Sequence, residues 1–189
     1  MKRVSLLVAI FTVILQSIVF AGAAEDFLHR YKTVAVVIIG NSDFRSPDFY
    51  DIAKDSFKDE TGKVSMIVGD AIQTKYQEFW FDKGFLEEQA PNKESLVEFA
   101  KYCNYDEVLF LLVRDPIIEK NSRNRGLWGT AEHTRASIQI NAFLCTPDGV
   151  KKLYSSAKED DSQTSDLRAK RGAFEKCMED IAKNMKPAI

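Results

Sequence analysis

The stretch Ala136–Ala157 reads ASIQINAFLC, then TPDG, then VKKLYSSA, and this pattern predicts a β-hairpin. Apolar residues occupy every second position of its first part: Ala136, Ile138, Ile140, Ala142 and Leu144. Because successive side chains of a strand point to opposite faces, this spacing predicts a half-buried strand. In the turn, Pro147 presets φ and Gly149 accepts a positive φ, so a second strand returns through Leu153.

Three further strands precede the hairpin. Thr33–Ile39 (TVAVVII) and Glu107–Val113 (EVLFLLV) are continuously apolar, which is typical of strands buried on both faces. Lys63–Val68 (KVSMIV) is a shorter strand between them in the chain. Helical spacing and start signals predict four helices: one opened by Pro47, one opened by a capping box of Asp70 and Gln73, one over Lys93–Cys103 and one over Asp166–Lys186.

The order of these elements predicts the sheet. Strands joined by helices are parallel, and strands joined by turns are antiparallel. With right-handed crossovers the fold class is α/β: a three-layer, mixed five-stranded sheet of order 2-1-3-4-5, with strand 4 antiparallel. The terminal helix packs an apolar stripe, which includes Leu167, Phe174 and Ile181, onto the sheet. Glu159–Ser165 is predicted to be an acidic linker before that helix.

The amino terminus has the pattern of a secretory signal peptide. Lys2 and Arg3 precede the apolar run Val4–Phe20, and Ala21–Ala23 is a small-residue cleavage pattern. We therefore expect a signal peptide at 1–23, one α/β domain at 24–189 and a periplasmic or secreted protein, with membrane association only if the signal segment is retained. The net charge of −2 argues against a nucleic-acid partner, which normally selects a basic surface.

Several of these segments together resemble a group of bacterial envelope domains. They are the export signal, the VAVVII and YDEVLFLLV strands, the INAFLCTPDGVKKLYSSA hairpin and the final helix RAKRGAFEKCMEDIAKNM. The group includes the curli-secretion channel subunit, the TolB amino-terminal domain and the lipoprotein activators of penicillin-binding proteins. The resemblance implies an anticodon-binding-like α/β fold used for contacts between envelope proteins. It transfers no catalytic residue, and the TPDG turn differs from the usual D-x-x-T-G.

The candidate binding site lies in the least regular part of the chain. Arg114–Thr134 contains a proline and two glycines and is predicted to be a long, mobile loop. Trp128 lies between the two glycines, near Arg114, Arg123 and Arg125. Tryptophan and arginine are the residue types enriched at interface hot spots. The leading hypothesis is therefore an exported, non-enzymatic protein that binds an envelope protein or a cell-wall component through these four residues.

Two alternative functions remain open from the sequence. A small serine hydrolase would use Ser42, Asp43 and His133, since Ser42 follows a strand and precedes a helix. Phe44, however, occupies the position where a nucleophile elbow needs its second glycine. A structural subunit that self-associates through a sheet edge, as a homo-oligomer, is the other alternative.

No cofactor or metal motif is predicted. The cysteines at 103, 145 and 177 are too far apart for a zinc motif. Cys103 and Cys177 are predicted to be buried thiols, whereas Cys145 lies on the more polar face of its strand and is expected to be the most reachable. The spacing of Asp43, Asp48 and Asp51 matches no calcium loop.

Overall fold

The computed structural model describes residues 32–59, 61–84, 90–124, 130–163 and 165–189. The predicted signal peptide at 1–23 lies outside these ranges. None of the helices within them is long and apolar enough to span a membrane.

Six strands form one mixed sheet. They are β1 (Lys32–Ile39), β2 (Val64–Ile67), β3 (Glu107–Val113), β4 (Ile117–Asn124), β5 (Thr130–Thr146) and β6 (Gly149–Ser162). The order is β2-β1-β3-β5-β4, and β6 pairs with the other edge of β5. Strand β1 is parallel to β2 and β3, and all pairs made by β5 are antiparallel. The predicted order 2-1-3-4-5 corresponds to β2-β1-β3-β5-β6 and is confirmed, and β4 is an additional strand.

Four helices cover the two faces of this sheet and complete three layers. They are α1 (Pro47–Ser56), α2 (Asp70–Asp82), α3 (Lys93–Cys103) and α4 (Asp166–Met185), with short 3-10 turns at Ser42–Phe44 and Lys186–Ala188. Helices α1 and α4 bury Phe49 and Phe174 on one face, where the two ring centroids lie 5.0 Å apart. Helices α2 and α3 bury Tyr76 and Phe99 on the other, with centroids 5.1 Å apart. Each face of β1 and β3 therefore has its own apolar core.

The segment predicted to be a loop between Arg114 and Thr134 is largely β-structure. Residues Ile117–Asn124 form β4, and β5 already begins at Thr130. Strand β4 (IIEKNSRN) lacks the alternation of apolar and polar residues by which a strand is predicted. Its conformation follows from the ladder with β5, in which Lys120 lies opposite Thr134.

Strand β6 is also longer than the sequence indicates. The predicted linker Glu159–Ser165 continues the strand through its first four residues. Acidic residues are tolerated in this strand because basic side chains lie beside them. Arg135 Nε, for example, donates a hydrogen bond to Asp161 Oδ1 at 3.1 Å.

The start of α2 differs from the predicted capping box of Asp70 and Gln73. Gly69, with φ of 129°, is the N-cap, and no side chain caps the helix. Gln73 is instead buried against β1, where the Ile38 N–H donates to Oε1 at 3.2 Å and Nε2 donates to the Ile38 carbonyl oxygen at 2.9 Å. Strand β2 pairs with β1 only as far as Ala35, so the Gln73 amide replaces a neighbouring strand beyond that point.

Two side chains lie in environments other than those predicted. Leu167 is 55% exposed, because the buried stripe of α4 begins only at Ala169. Cys145 is fully buried in the core that α2 and α3 form with the sheet, and burial raises the pKa of its thiol to about 12. It is therefore not a reachable thiol. Cys103 and Cys177 are buried as predicted.

Candidate functional site

A three-stranded arm continues the sheet beyond the ends of β1 and β3. The arm consists of β4, residues Thr130–Gln139 of β5 and residues Ala157–Ser162 of β6. Strand β3 pairs with β5 only up to the pair of Val113 and Ile140. The arm carries β5 further by roughly 33 Å, at about 3.3 Å per residue. Most of the segment predicted to bind a partner therefore belongs to a strand pair that projects from the sheet.

The four predicted binding residues are spread along this segment. Arg114 is exposed at the base of the arm, where its N–H donates to a carbonyl oxygen of β5 at 3.0 Å. Arg123 lies in β4, near the far end of the arm. The strand geometry separates these two residues by roughly 30 Å, so they do not form one cluster. Arg125 and Trp128 lie outside the described residues.

Helix α4 covers one face of the arm. Thr134, Ala136 and Ile138 are buried there. Asp166, at the start of α4, contacts both β4 and β5. Lys120 Nζ of β4 lies 2.8 Å from Asp166 Oδ2, and Thr134 Oγ1 of β5 donates a hydrogen bond to Asp166 Oδ1 at 3.2 Å. These interactions, with that of Lys120 the strongest, hold the pKa of Asp166 below its ordinary value of 3.8. The arm is thus held to the rest of the protein by an apolar stripe and a charged pair.

The opposite face of the arm, which we call the open face, is accessible to solvent. Side chains on it are exposed or half-buried, among them Ile117, Glu119, Arg135, Ser137 and Glu159. Ile117 is 65% exposed. The Arg135 guanidinium lies between acids of β6, with Asp161 Oδ1 at 3.1 Å and Glu159 Oε2 at 3.8 Å, and the Asp161 hydrogen bond raises its pKa. The open face therefore combines an exposed apolar residue with charges of both signs.

A cleft of about 1310 Å³ opens beside the base of the arm, where β1 and β3 end. Residues from α2, from the sheet and from the connections after β1 and β3 line it, including Trp80, Phe81, Arg45, Arg114 and Asn141. In sheets with parallel strands, ligands bind outside the carboxyl ends of the strands. The cleft therefore lies where open α/β sheets commonly bind their ligands.

Gly40 is one of the residues that line this cleft. A Cβ atom at this position would lie 2.2 Å from the Val113 carbonyl oxygen, and φ is +133°, so only glycine fits. The Gly40 carbonyl oxygen accepts a hydrogen bond from Arg45 Nη2 at 2.7 Å. The close approach of β1 and β3 thereby places the Arg45 guanidinium at the cleft.

The three residues of the alternative function, a serine hydrolase, do not assemble into a catalytic triad. Ser42 is exposed in the 3-10 turn after β1, and Asp43 Oδ2 accepts a hydrogen bond from Lys170 at 2.7 Å. His133 lies in β5 opposite Asn121 of β4. Within the described ranges, no hydrogen bond joins Ser42 to Asp43 or to His133. The same part of the chain contains no group of three His, Cys, Asp or Glu side chains arranged to hold a metal ion.

Of the residues that line the cleft, only Arg114 was predicted from the sequence to be a binding residue. Arg45 follows the buried strand β1 by six residues, and the end of a central parallel strand was the signal available for it. No sequence pattern predicted that Asn141 lies at the cleft, because its position depends on the register between β5 and β3, where it lies opposite Leu112.

No family model matches the sequence, and no curated protein is significantly similar to it. Solved structures with related backbones include the hypothetical protein CT253 of Chlamydia trachomatis, with a TM-score of 0.43 and 10% identity over 84% of this chain and 97% of that one. Lipoprotein GNA1162 of Neisseria meningitidis has a TM-score of 0.40 and 13% identity over 82% and 99% of the two chains. The PelC dodecamer of Paraburkholderia phytofirmans has a TM-score of 0.38 and 16% identity over 84% and 89%.

These neighbours include bacterial lipoproteins, but similarity at this level identifies neither a family nor a function for the chain. The resemblance to the curli-secretion, TolB and activator domains stays a prediction.

Proposed function

We propose that the protein is an exported, non-enzymatic cell-envelope protein that binds another protein or a cell-wall component through the segment Arg114–Thr134. Export rests on the signal-peptide pattern at 1–23, with cleavage after Ala23. The binding residues are Trp128, Arg123, Arg125 and Arg114. The protein acts in the periplasm or as a secreted protein and needs no cofactor.

The observation that carries this proposal is the arm with its open face. A two-stranded hairpin alone is marginally stable in water, but β6 pairs with β5 as far as Thr134 and α4 packs against the base of the arm. The segment is therefore presented on a rigid base, and a preorganised surface loses less conformational entropy on binding than a flexible loop does. Ile117 and Arg135 on the open face supply apolar and charged contacts along the same arm.

The test is the effect of Trp128→Ala on partner capture. A hot-spot tryptophan contributes about 2 kcal/mol or more to binding, which corresponds to roughly 30-fold in affinity. We expect capture of the partner from native envelope to fall by that factor while the melting temperature stays unchanged. Leu167→Ala removes an apolar side chain of α4 that is 55% exposed and serves as the matched control. Unchanged capture together with a large loss of stability would show that Trp128 is a core residue.

A second candidate function, self-association, is favoured by the charge pattern of β6. In the described part of the chain, the outer edge of this 14-residue strand pairs with no other strand. If two copies paired their β6 edges antiparallel with Ser156 opposite Ser156, Lys151 would lie opposite Asp161 and Lys152 opposite Asp160. Opposite charges in facing positions stabilise an antiparallel pair, and like charges there destabilise it.

Charge reversal tests this register. Asp161→Lys places two cations opposite each other in the dimer, so we expect it to weaken self-association at least tenfold in sedimentation or light-scattering measurements. Glu159→Lys makes the same charge change opposite Leu153 and should leave self-association nearly unchanged. A wild-type protein that is monomeric at millimolar concentration, or equal effects of the two variants, would contradict this candidate.

A further inference from the structure

The cleft at the ends of β1 and β3 contains cationic donors without matching anions. The Arg45 guanidinium is half-buried, and its one hydrogen bond in the described part of the chain joins Nη2 to the Gly40 carbonyl oxygen. Its Nε atom is buried and has no partner. Among the described residues, no carboxylate lies within 4.0 Å of either Arg45 or Arg114. A guanidinium that is partly removed from water without a counter-ion is unfavourable, and an anion bound beside it offsets that cost.

A third donor points to the same kind of ligand. Asn141 lines the cleft, and its Oδ1 accepts a hydrogen bond from Ser155 Oγ at 2.8 Å. That bond occupies the carbonyl end of the amide, so the Nδ2 donors remain for a ligand. Asp115 is the one acidic residue that lines the described cleft, and it is exposed. Donors therefore exceed acceptors here, which favours an oxyanion over a cation or a neutral polar group.

The remaining lining of the cleft is apolar and aromatic. Phe81 is 81% exposed at its edge. Tyr76 and Trp80 stack on each other, with ring centroids 5.6 Å apart and planes 25° apart, and Pro91 and Leu112 also line the cleft. Ligand sites commonly combine an apolar wall with a few convergent polar groups, in volumes of about 300–1,000 Å³. The cleft is large enough for such a molecule.

From this geometry we infer that the cleft binds a small organic anion, in which a carboxylate or phosphate is joined to an apolar or aromatic body. Arg45 and Arg114 bind the oxyanion, the Asn141 amide donates to it, and the Phe81 side of the cleft contacts the body. This site lies beside the segment proposed above to bind a protein or cell-wall component and shares with it only Arg114 and the exposed Asp115. The two proposals are tested with different probes and variants, so they fail separately. Loss of partner capture in Trp128→Ala says nothing about the cleft.

The experiment is a titration of the protein, as recovered from its host, followed by calorimetry and by amide chemical shifts. The probes are 4-phenylbutyrate and 3-phenylpropyl phosphate, with 4-phenylbutanamide as the neutral analogue and inorganic phosphate as the anion without a body. We expect the amide and the inorganic phosphate to bind at least tenfold more weakly than the better of the two anions. Which of the two organic anions binds better identifies the oxyanion.

Variants test which side chains are responsible. Arg114 is exposed, so Arg114→Gln should fold normally and weaken binding of the better anion at least tenfold without changing binding of the amide. Arg168→Gln removes an exposed arginine of α4, which packs on the opposite face of the sheet, and should bind the anions like the wild type. Equal affinity for the anion and the amide, unchanged binding in Arg114→Gln, or no shift of the lining amides at millimolar probe would overturn the inference.

Discussion

Strand β5 passes through two environments, and its two halves behave differently. Residues Ile140–Thr146 lie between β3 and β6 with a core on each face, so that both Leu144 and Cys145 are fully buried. Residues Thr130–Gln139 form the arm, in which Thr134–Ser137 lie between β4 and β6, with α4 on one face and half-buried or exposed side chains such as Ser137 on the other. Apolar residues occupy every second position from Ala136 to Leu144, across the boundary between the two halves. The comparison shows that the elements packed over a strand decide which of its faces are buried.

The largest loss of stability is expected from placing a charge in the half of β5 that has a core on each face. Ile140 is fully buried, so Ile140→Asp introduces an unpaired charge there and should destabilise the fold by about 4 kcal/mol or more in urea unfolding. If that variant does not fold, Ile140→Ala should still cost about 2–4 kcal/mol.

The matched control is Gln139→Asp, one position along the strand on the half-buried face. It should cost at most about 1 kcal/mol, because aspartate is unfavourable in strands but stays in water there. Similar losses for Ile140→Asp and Gln139→Asp would show that the two faces of β5 are assigned wrongly.

Thiol labelling compares the two halves of β5 on the same face. Burial raises the pKa of the Cys145 thiol to about 12, and the thiolate is the reactive form. We expect Ellman's reagent to leave Cys145 unmodified in the native protein and to modify Ser137→Cys in the arm at least a hundredfold faster. Denatured protein supplies the full thiol count. Rapid native labelling that peptide mapping assigns to Cys145 would contradict the predicted difference between the two halves.

The smallest effect on stability is expected at Asp166, where α4 holds the arm. The pKa of Asp166 is lowered, chiefly by its hydrogen bond with Lys120. Its contribution to stability is therefore present above the ordinary value of 3.8 and is lost as pH falls through the lower folded-state pKa. Asp166→Asn should speed amide hydrogen exchange in β4 at neutral pH, with little change in the global melting temperature, because solvent screens this exposed pair.

Asp115→Asn is the control for this comparison, since Asp115 is an exposed acid beside the arm. It should leave exchange in β4 unchanged. Equal exchange rates in Asp166→Asn and wild type would mean that the apolar stripe alone holds the arm.

Local sequence signals predicted the elements with strong local preferences. The central strands β1 and β3 are continuous apolar runs, and the turn at Pro147 and Gly149 has few alternatives, so these features were predicted correctly. Helix α3 was also predicted with its observed bounds, since Asn92 caps it by accepting from the Ser95 N–H at 2.8 Å. The order of the strands followed from connection rules and the apolar content of each strand.

Features that depend on a partner elsewhere in the chain were missed. Strand β4 has no apolar alternation and exists because β5 supplies its hydrogen bonds. Gln73 was interpreted as part of a helix cap, but its amide completes the unpaired edge of β1 at Ile38. Cys145 was placed on a polar face because its neighbours in the other half of β5 are polar.

The sequence by itself therefore determined the strands and helices with strong local patterns, their order in the sheet and the candidate export signal. Tertiary structure decided where the sheet extends into an arm, which half of β5 is covered on both faces and which residues meet at the cleft. Arg45 and Asn141 are 96 positions apart in the chain and line one cleft. The physical reason is that periodicity reports the preference of a segment for water, whereas burial and pairing depend on the surface that another segment places against it.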